Sequence, residues 1–210
     1  MYAVVSPETV NLPPGTVMRM LGTWDDYQAL QTSRGDRALP RLKYCQGEIW
    51  LMSPLPKHGR DANLLADIVK ILLDSQGRSY EAFSPITLEL PDHGGIEPDY
   101  CFYIDNWQAV MGKDRINWQI DPPPDLVLEI DVTAYTNVQD YAPYRVPEVW
   151  LWQQNQLEIY RLQADVYGRT STSRFFPNTH VAAVLAECLS AAAIAGTGAA
   201  LRSLRKSLQG

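Results

Sequence analysis

The chain has 210 residues, 46% of them hydrophobic, and its 18 basic and 24 acidic residues give a formal net charge of −6 at pH 7. This composition is typical of a globular protein with a hydrophobic core, and it argues against a strongly basic, constitutive nucleic-acid binder. The three cysteines are far apart and form no C-x-x-C pair, which argues against a disulfide framework or a zinc site and favours a reducing compartment.

The length suits a single domain over residues 1–210, beginning with an extended, proline-rich arm over residues 1–20. Thr23 is a candidate N-cap for a short helix over 23–33. The runs RLKYCQ and EIWLMS predict a hairpin around the glycine between them. Asp61 is then expected to cap a helix over ANLLADIVKILLDS, whose apolar residues recur at helical spacing.

Strand patterns alternate with turns and short helices in the rest of the chain. The predicted elements are strands over 79–90, over 99–104 after a Gly-Gly turn and over 125–132, a short helix at 136–144, a hairpin over 148–162 and C-terminal helices within 179–208. This order predicts an α+β or α/β domain built around a mixed sheet.

The sequence offers no sign of export or of a membrane anchor. The N-terminus lacks a basic region followed by a long apolar stretch, so we expect no signal peptide. The alanine-rich run at 181–196 is short and contains Glu187, and it is expected to pack as a helix rather than to span a membrane. We therefore expect a cytoplasmic protein.

The predicted strand DLVLEIDV carries acids within an apolar run. Alternation places Leu126, Leu128, Ile130 and Val132 on one face, and it places Asp125, Val127, Glu129 and Asp131 on the other. Carboxylates two residues apart on one face of an apolar strand repel each other and lose hydration, so they need donors or a cation.

A further acid, Asp99, follows Pro98 at the start of the strand over 99–104. The connection to Glu129 is long enough to make the two strands neighbours, so Asp99, Glu129 and Asp131 are expected to converge on one sheet face. Such oxygen ligands suit Mg²⁺. The alternative is structural: Asp99 as a turn residue, and Glu129 paired with an arginine.

Several segments in this order resemble one family. GEIWLMSPLPKHG, GIEPDYCFYI, DPPPDLVLEIDVT and VPEVWLW with its following hairpin are together similar to the Uma-type endonuclease family of the PD-(D/E)XK nuclease superfamily. The resemblance covers about residues 20–208. It implies a restriction-endonuclease-like fold, with a mixed central β-sheet flanked by helices and extra hairpins, and a hydrolase that cuts DNA with the help of a metal ion.

The resemblance also implies site residues. Asp99 matches the aspartate of the "PD" element and Glu129 the acid of the "(D/E)XK" element. Both would be ligands of Mg²⁺ or Mn²⁺, with the backbone carbonyl of Ile130 as a third ligand. His58 matches a family histidine that could contact phosphate or transfer a proton, and Glu48 matches a family acid. A surface turn histidine and an ordinary hairpin charge are the plain alternatives for these two.

The motif lysine is missing, since Asp131 stands in its place. Three interpretations stay open. Asp131 acts as a further ligand, or as a base through a bound water; Arg145 or Lys57 supplies the positive charge; or the site is degenerate and the fold is kept for binding.

Two main functional hypotheses follow. The first is a metal-dependent DNA endonuclease with Asp99, Glu129, Asp131 and His58 as catalytic residues. The second is a catalytically inactive DNA- or protein-binding module on the same fold. A weaker third is a structural subunit, which Arg145 paired with Glu129 and Asp131 would favour. A homodimer is a further expectation, because cutting a duplex usually takes two sites and the 148–162 hairpin is expected to offer an apolar edge.

Overall fold

The computed structural model describes residues 12–35, 37–84, 86–91, 94–131 and 136–208. These residues form two compact units, the first within Met1–Pro56 and Pro85–Glu97 and the second within Lys57–Ser84 and Pro98–Gly210. Both units are mixtures of helices and strands, so the predicted α+β class is confirmed. Whether the chain folds as one domain stays a prediction.

The first unit is built on an antiparallel sheet with the strand order β1-β3-β2-β6-β5. Its elements are β1 (Thr16–Leu21), α1 (Trp24–Arg34), β2 (Arg41–Cys45), β3 (Glu48–Ser53), β5 (Leu88–Leu90) and β6 (Gly94–Ile96). Tyr27 and Leu30 of α1 form a buried cluster with Leu42, Ile49 and Leu51 of the sheet. The core of this unit therefore lies on one face of β2 and β3.

The second unit is built on a mixed sheet with the order β11-β10-β9-β8-β7-β4, in which β8 and β9 run parallel. Its elements are α2 (Pro56–Ser75), which begins at the boundary between the units, β4 (Glu81–Phe83), β7 (Tyr100–Tyr103), α3 (Trp107–Val110), β8 (Leu126–Asp131), a 3₁₀ helix (Val138–Tyr144), β9 (Glu148–Gln153), β10 (Gln156–Gln163), β11 (Val166–Thr170), α4 (Val181–Ala195) and α5 (Thr197–Ser207).

The apolar face of β8 lies in the core of the second unit. Leu126, Leu128 and Ile130 are buried there together with the apolar residues of α2, α4 and α5. This confirms the predicted apolar face as far as Ile130, whereas Val132 lies outside the described residues. Helices therefore cover the sheet on this side, and none of those in the described residues is long and apolar enough to cross a membrane.

Both predicted hairpins are confirmed. Gln46 and Gly47 have φ angles of 51° and 82°, and Gln154 and Asn155 have φ angles of 51° and 60°. Positive φ at both central residues is what a tight two-residue hairpin turn needs. The predicted apolar edge of the second hairpin is wrong, because β9 also pairs with β8 and β10 also pairs with β11.

Helix starts follow the sequence signals only in part. Thr23 caps α1 as predicted, and it exchanges hydrogen bonds with Asp26 in a capping box. Asp61 is not a cap, because α2 begins at Pro56, where a proline loses no helical hydrogen bond. The predicted extended arm over residues 1–20 is replaced in part by a paired strand. Residues 1–11 lie outside the described residues, whereas Thr16–Leu21 forms β1, which pairs with β3.

The predicted Gly-Gly turn is a strand. Gly94 and Gly95 belong to β6, which pairs with β2 and β5. A Cβ atom at position 95 would lie 2.2 Å from the hydroxyl oxygen of Tyr27, so this glycine is required by close packing. The predicted single strand over 79–90 is also divided, since β4 and β5 belong to different sheets.

We expect Gly95→Ala to lower the free energy of unfolding by about 1–3 kcal/mol, since the added methyl group must displace the Tyr27 ring. Gly59→Ala is the control, because it lies within α2 with open space around its Cβ position. Alanine there should raise stability by about 1 kcal/mol. Urea unfolding measures both, and equal effects of the two substitutions would contradict the packing argument.

Candidate active site

Asp99 directly precedes β7, and Glu129 lies on the neighbouring strand β8. Tyr100 of β7 pairs with Leu128 of β8 in antiparallel register, and one step further along this register places Asp99 beside Glu129. Asp99 is only 1% exposed, whereas Glu129 is half-buried. The structure therefore brings together the two acids that the sequence analysis singled out.

Both oxygens of Asp99 are held by its surroundings. Nε2 of His58, in the first turn of α2, lies 2.6 Å from Oδ1. The backbone N–H of Ile130 donates to Oδ2 at 2.8 Å. A carboxylate buried this deeply needs such partners to offset its lost hydration. His58 is thus a partner of Asp99 and not a plain surface histidine, and Ile130 contributes its amide.

Glu129 has a partner that the sequence analysis missed. The hydroxyl of Tyr141, in the 3₁₀ helix, donates to Oε1 of Glu129. Burial raises the pKa of Tyr141 well above its ordinary value, and the negative charges of Glu129 and Asp99 raise it further. The phenol therefore stays protonated at neutral pH and acts as a hydrogen-bond donor.

Both carboxylate oxygens of Asp131 accept hydrogen bonds from Thr136. The backbone N–H of Thr136 donates to Oδ2 and the Thr136 hydroxyl donates to Oδ1, both at 2.8 Å. Asp131 shares the strand face of Glu129 by alternation. Its carboxylate nevertheless binds a residue five positions further along the chain.

The three predicted supporting residues have other partners. Lys57 donates to Asp61 at 2.6 Å, Glu48 pairs with Arg19 at 2.5 Å within the first unit, and Arg145 pairs with Asp165. The guanidinium of Arg145 also donates to the carbonyl of Ala164 at 2.8 Å. The pairing of Arg145 with Glu129 and Asp131, which would have favoured a structural subunit, is therefore not what the structure shows.

Two other buried acids show how this fold satisfies a carboxylate by itself. Asp125 accepts from the backbone N–H groups of Ile104, Asp105 and Asn106 and from the Asn106 amide. Glu148 accepts from the Trp150 indole, the Ser173 hydroxyl and the Arg174 backbone. The guanidinium of Arg161 also lies 3.9 Å from Oε2 of Glu148. Each acid is satisfied by several groups of the chain, which indicates a structural role.

The carboxylate oxygens of Asp99 and Glu129 are ligands of the kind that a hard divalent cation prefers. Over the described ranges, no group of three or more His, Cys, Asp and Glu side chains is arranged to hold a metal. Magnesium commonly binds through one or two carboxylates and keeps several waters, so two neighbouring acids meet its needs. Structural zinc sites take four protein ligands, mostly cysteine and histidine, which this pair does not supply.

Comparison with known families identifies the chain. The family model Uma2, described as "Putative restriction endonuclease", matches residues 24–193. The chain belongs to the Uma2 family. The resemblance seen in the sequence motifs is thereby confirmed, and His58, Asp99, Glu129 and Tyr141 all lie within the matched range. Membership of Uma2 supports a nuclease-like function.

One solved structure is similar in fold to the Uma2 chain. It is described as a putative nuclease belonging to DUF820, from Anabaena variabilis ATCC 29413. Its sequence is 18% identical, its TM-score is 0.46, and the match covers 72% of this chain and 86% of that one. No curated protein matches the chain.

We expect Tyr141→Phe to lower the free energy of unfolding at pH 8 by about 1–3 kcal/mol, because an oxygen of Glu129 loses its donor. The folded-state pKa of Tyr141 lies above the unfolded value of about 10, so its stabilising effect is complete below pH 10 and is lost as pH rises. The difference between wild type and variant should then narrow by up to about 1.4 kcal/mol per pH unit above pH 10. Urea unfolding from pH 8 to 11 measures it, and a constant difference would contradict the assignment.

Proposed function

We propose that this Uma2 protein is a metal-dependent DNA endonuclease whose centre is formed by Asp99 and Glu129. The observation that carries the proposal is that the pairing of β7 with β8 places Asp99, directly before β7, beside Glu129 of β8, with Asp99 buried and hydrogen-bonded. Membership of the Uma2 family supports a nuclease-like function in general. The ion, the substrate and the residue roles are the proposal.

The chain orients both acids before any ligand arrives. Asp99 is held at both oxygens by His58 and the Ile130 amide, and Glu129 is held at Oε1 by Tyr141. Packing and these hydrogen bonds restrict the rotamers of the two carboxylates, which favours tight coordination. Mg²⁺ or Mn²⁺ bound there, with the backbone carbonyl of Ile130 as a further ligand, would make a bound water more acidic and offset charge on the phosphate.

His58 supplies an ionisable nitrogen in contact with Asp99. Its Nε2 shares a hydrogen bond with Oδ1 of Asp99, and its side chain is 16% exposed, so it is in contact with both the buried acid and solvent. The imidazole at this point would be a hydrogen-bonding partner for the phosphate. It would thereby take over part of the task of the missing motif lysine.

The remaining candidates for that task are less suited to it. Asp131 carries no positive charge, and both of its oxygens accept from Thr136. The ammonium group of Lys57 is paired with Asp61, and Arg145 with Asp165. We therefore assign Asp131 a structural role. It binds Thr136 and thereby helps to position the segment that carries Tyr141.

We expect the purified protein to nick or cut plasmid DNA in Mg²⁺ or Mn²⁺. Asp99→Asn and Glu129→Gln should each lower the rate by at least about 10²–10³-fold, because each removes a charge from the centre without changing its volume. Asp165→Asn is the matched control, because that carboxylate is 87% exposed and pairs with Arg145. Equal rates for all four proteins in both metals would contradict the proposal.

Metal binding tests the ligand assignment without cleavage. We expect isothermal titration with Mn²⁺ to show binding that Glu129→Gln weakens at least about tenfold. Asp131→Asn should leave the affinity within about twofold and instead lower the thermal unfolding midpoint, since Asp131 binds Thr136. If Asp131→Asn weakens Mn²⁺ binding as much as Glu129→Gln, Asp131 is a ligand and our assignment is wrong.

One observation favours the second candidate function, an inactive binding module on the same fold. The position of the motif lysine is occupied by Asp131, which is satisfied within the chain. Such a module would bind DNA or protein equally well in EDTA and after Glu129→Gln. Metal-dependent cleavage that is lost in this variant excludes it.

A further inference from the structure

The 3₁₀ helix that carries Tyr141 depends on contacts with other elements for its position. It spans seven residues, Val138–Tyr144, and it includes Pro143, which has no backbone N–H to donate. The hydrogen bonds of a 3₁₀ helix are poorly aligned, so helices of this type are weakly stabilised from within. The contacts that hold this helix therefore also determine where the Tyr141 hydroxyl lies relative to Glu129.

Strand β11 binds this helix through Gln139. The side-chain amide of Gln139 donates to the carbonyl of Tyr167 at 3.2 Å, and the backbone N–H of Tyr167 donates to Oε1 of Gln139 at 3.0 Å. β11 is the last strand of its sheet and pairs with β10 alone among the described strands. A side-chain amide offers the same kinds of donor and acceptor as a peptide group. Gln139 thus supplies Tyr167 with the bonds that a further strand would supply.

Tyr167 binds the same segment a second time, beyond the end of the 3₁₀ helix. Its hydroxyl donates to the carbonyl of Val146 at 2.6 Å, and both residues are buried. One residue of β11 therefore holds the chain on both sides of Tyr141, before it at Gln139 and after it at Val146. We call Gln139, Tyr167 and Val146 the Tyr167 clamp.

The 3₁₀ helix contacts two strands that are not neighbours. Tyr141 binds Glu129 on β8, and Gln139 binds Tyr167 on β11. Strands β9 and β10 lie between those two strands. The bond from the backbone N–H of Gln139 to the side chain of Asn137, at 3.2 Å, joins residues of one turn and shapes only that turn. A displacement of the helix at β11 is therefore expected to move the hydroxyl at β8.

We propose that Gln139 and Tyr167 are positioning residues, which hold the Tyr141 hydroxyl on Glu129 and so fix the orientation of this carboxylate. Neither acts on Glu129 directly, since both act through Tyr141. Groups that bind a metal ligand from behind commonly change metal affinity about 10- to 100-fold. The importance of this orientation for the site rests on the proposed function, but the coupling between the Tyr167 clamp and Tyr141 needs neither metal nor substrate.

The test is a double-mutant cycle on the equilibrium constant of unfolding, measured in urea at pH 8 without metal. Tyr141→Phe alone should raise this constant about 5- to 150-fold, because an oxygen of Glu129 loses its donor. In the background of Gln139→Met or Tyr167→Phe, the same substitution should have an effect at least about twofold smaller, because the hydroxyl is no longer held on the carboxylate. Both background substitutions keep the size of the side chain and remove its hydrogen bonds.

Gln76→Met is the matched control. Nε2 of Gln76 donates to the carbonyl of Phe175 at 3.3 Å, so this substitution also removes a hydrogen bond between an exposed glutamine and a backbone carbonyl. Tyr141→Phe should keep its full effect in the Gln76→Met background. An equal reduction there overturns the proposal, because the coupling would then follow any loss of stability.

An effect of Tyr141→Phe that is the same in the wild type, in Gln139→Met and in Tyr167→Phe also overturns the proposal. Gln139 and Tyr167 would then stabilise the fold without acting on Tyr141. Gln139 is exposed, whereas Tyr167 is buried. Gln139→Met therefore keeps the test decisive if Tyr167→Phe fails to fold.

Titration with Mn²⁺ connects the Tyr167 clamp with the proposed centre. Gln139→Met should weaken Mn²⁺ binding several-fold when Tyr141 is present and leave it unchanged in the Tyr141→Phe background, since the clamp acts through that hydroxyl. Unchanged affinity in both backgrounds, in a protein that binds Mn²⁺, overturns the positioning of Glu129.

The two proposals fail separately. Coupling between Gln139 and Tyr141 in unfolding, in a protein that neither binds Mn²⁺ nor cleaves DNA, supports the Tyr167 clamp and overturns the nuclease. Metal-dependent cleavage without this coupling does the reverse.

Discussion

The burial of the Asp99 carboxylate is the constraint on which the second unit depends. An ionised group with almost no exposure is tolerated only when hydrogen-bonded partners replace its lost water. His58 meets one oxygen from the start of α2, and the Ile130 amide meets the other from β8. Removing one partner of a buried charge typically costs about 3–5 kcal/mol. A single side chain thus ties together the first turn of a helix and two strands.

The acids of the second unit differ in the groups that bind them. We use this difference to separate the structural acids from the proposed site residues. Asp125 accepts from three backbone N–H groups and an amide, Glu148 is bound by neutral donors and lies near Arg161, and Asp131 is bound by Thr136. The partners of Asp99 include an ionisable ring and a backbone amide, and those of Glu129 include a phenol. On the proposed function, a divalent cation at this pair offsets the repulsion between the two neighbouring carboxylates.

Local patterns in the sequence predicted much of this arrangement. Alternation gave the two faces of β8, and short-range turn and cap signals gave both hairpins and the Thr23 cap. These local patterns gave a wrong prediction where a residue distant in the sequence determines the local structure. A glycine pair suggested a turn, but the Tyr27 ring makes Gly95 a packing requirement within β6.

The candidate site, like the fold, could be predicted from the sequence only in part. The acids stand out because they interrupt apolar strands, so Asp99 and Glu129 could be selected from the sequence alone. Tyr141 follows Glu129 by 12 residues across an irregular connection. No periodicity links the two positions, so only the folded chain reveals the contact. Alternation likewise grouped Asp131 with Glu129, but it could not show that Thr136 would take both oxygens.

The distance along the chain between the groups that meet at Asp99 has a consequence for biosynthesis. His58 precedes Asp99 by 41 residues, and Tyr141 lies beyond Glu129. A growing chain has all four groups only once Tyr141 has been made, and they meet only after β7 and β8 have paired. On the proposed function, a copy that ends before Tyr141, or in which these strands have not paired, therefore lacks the assembled centre.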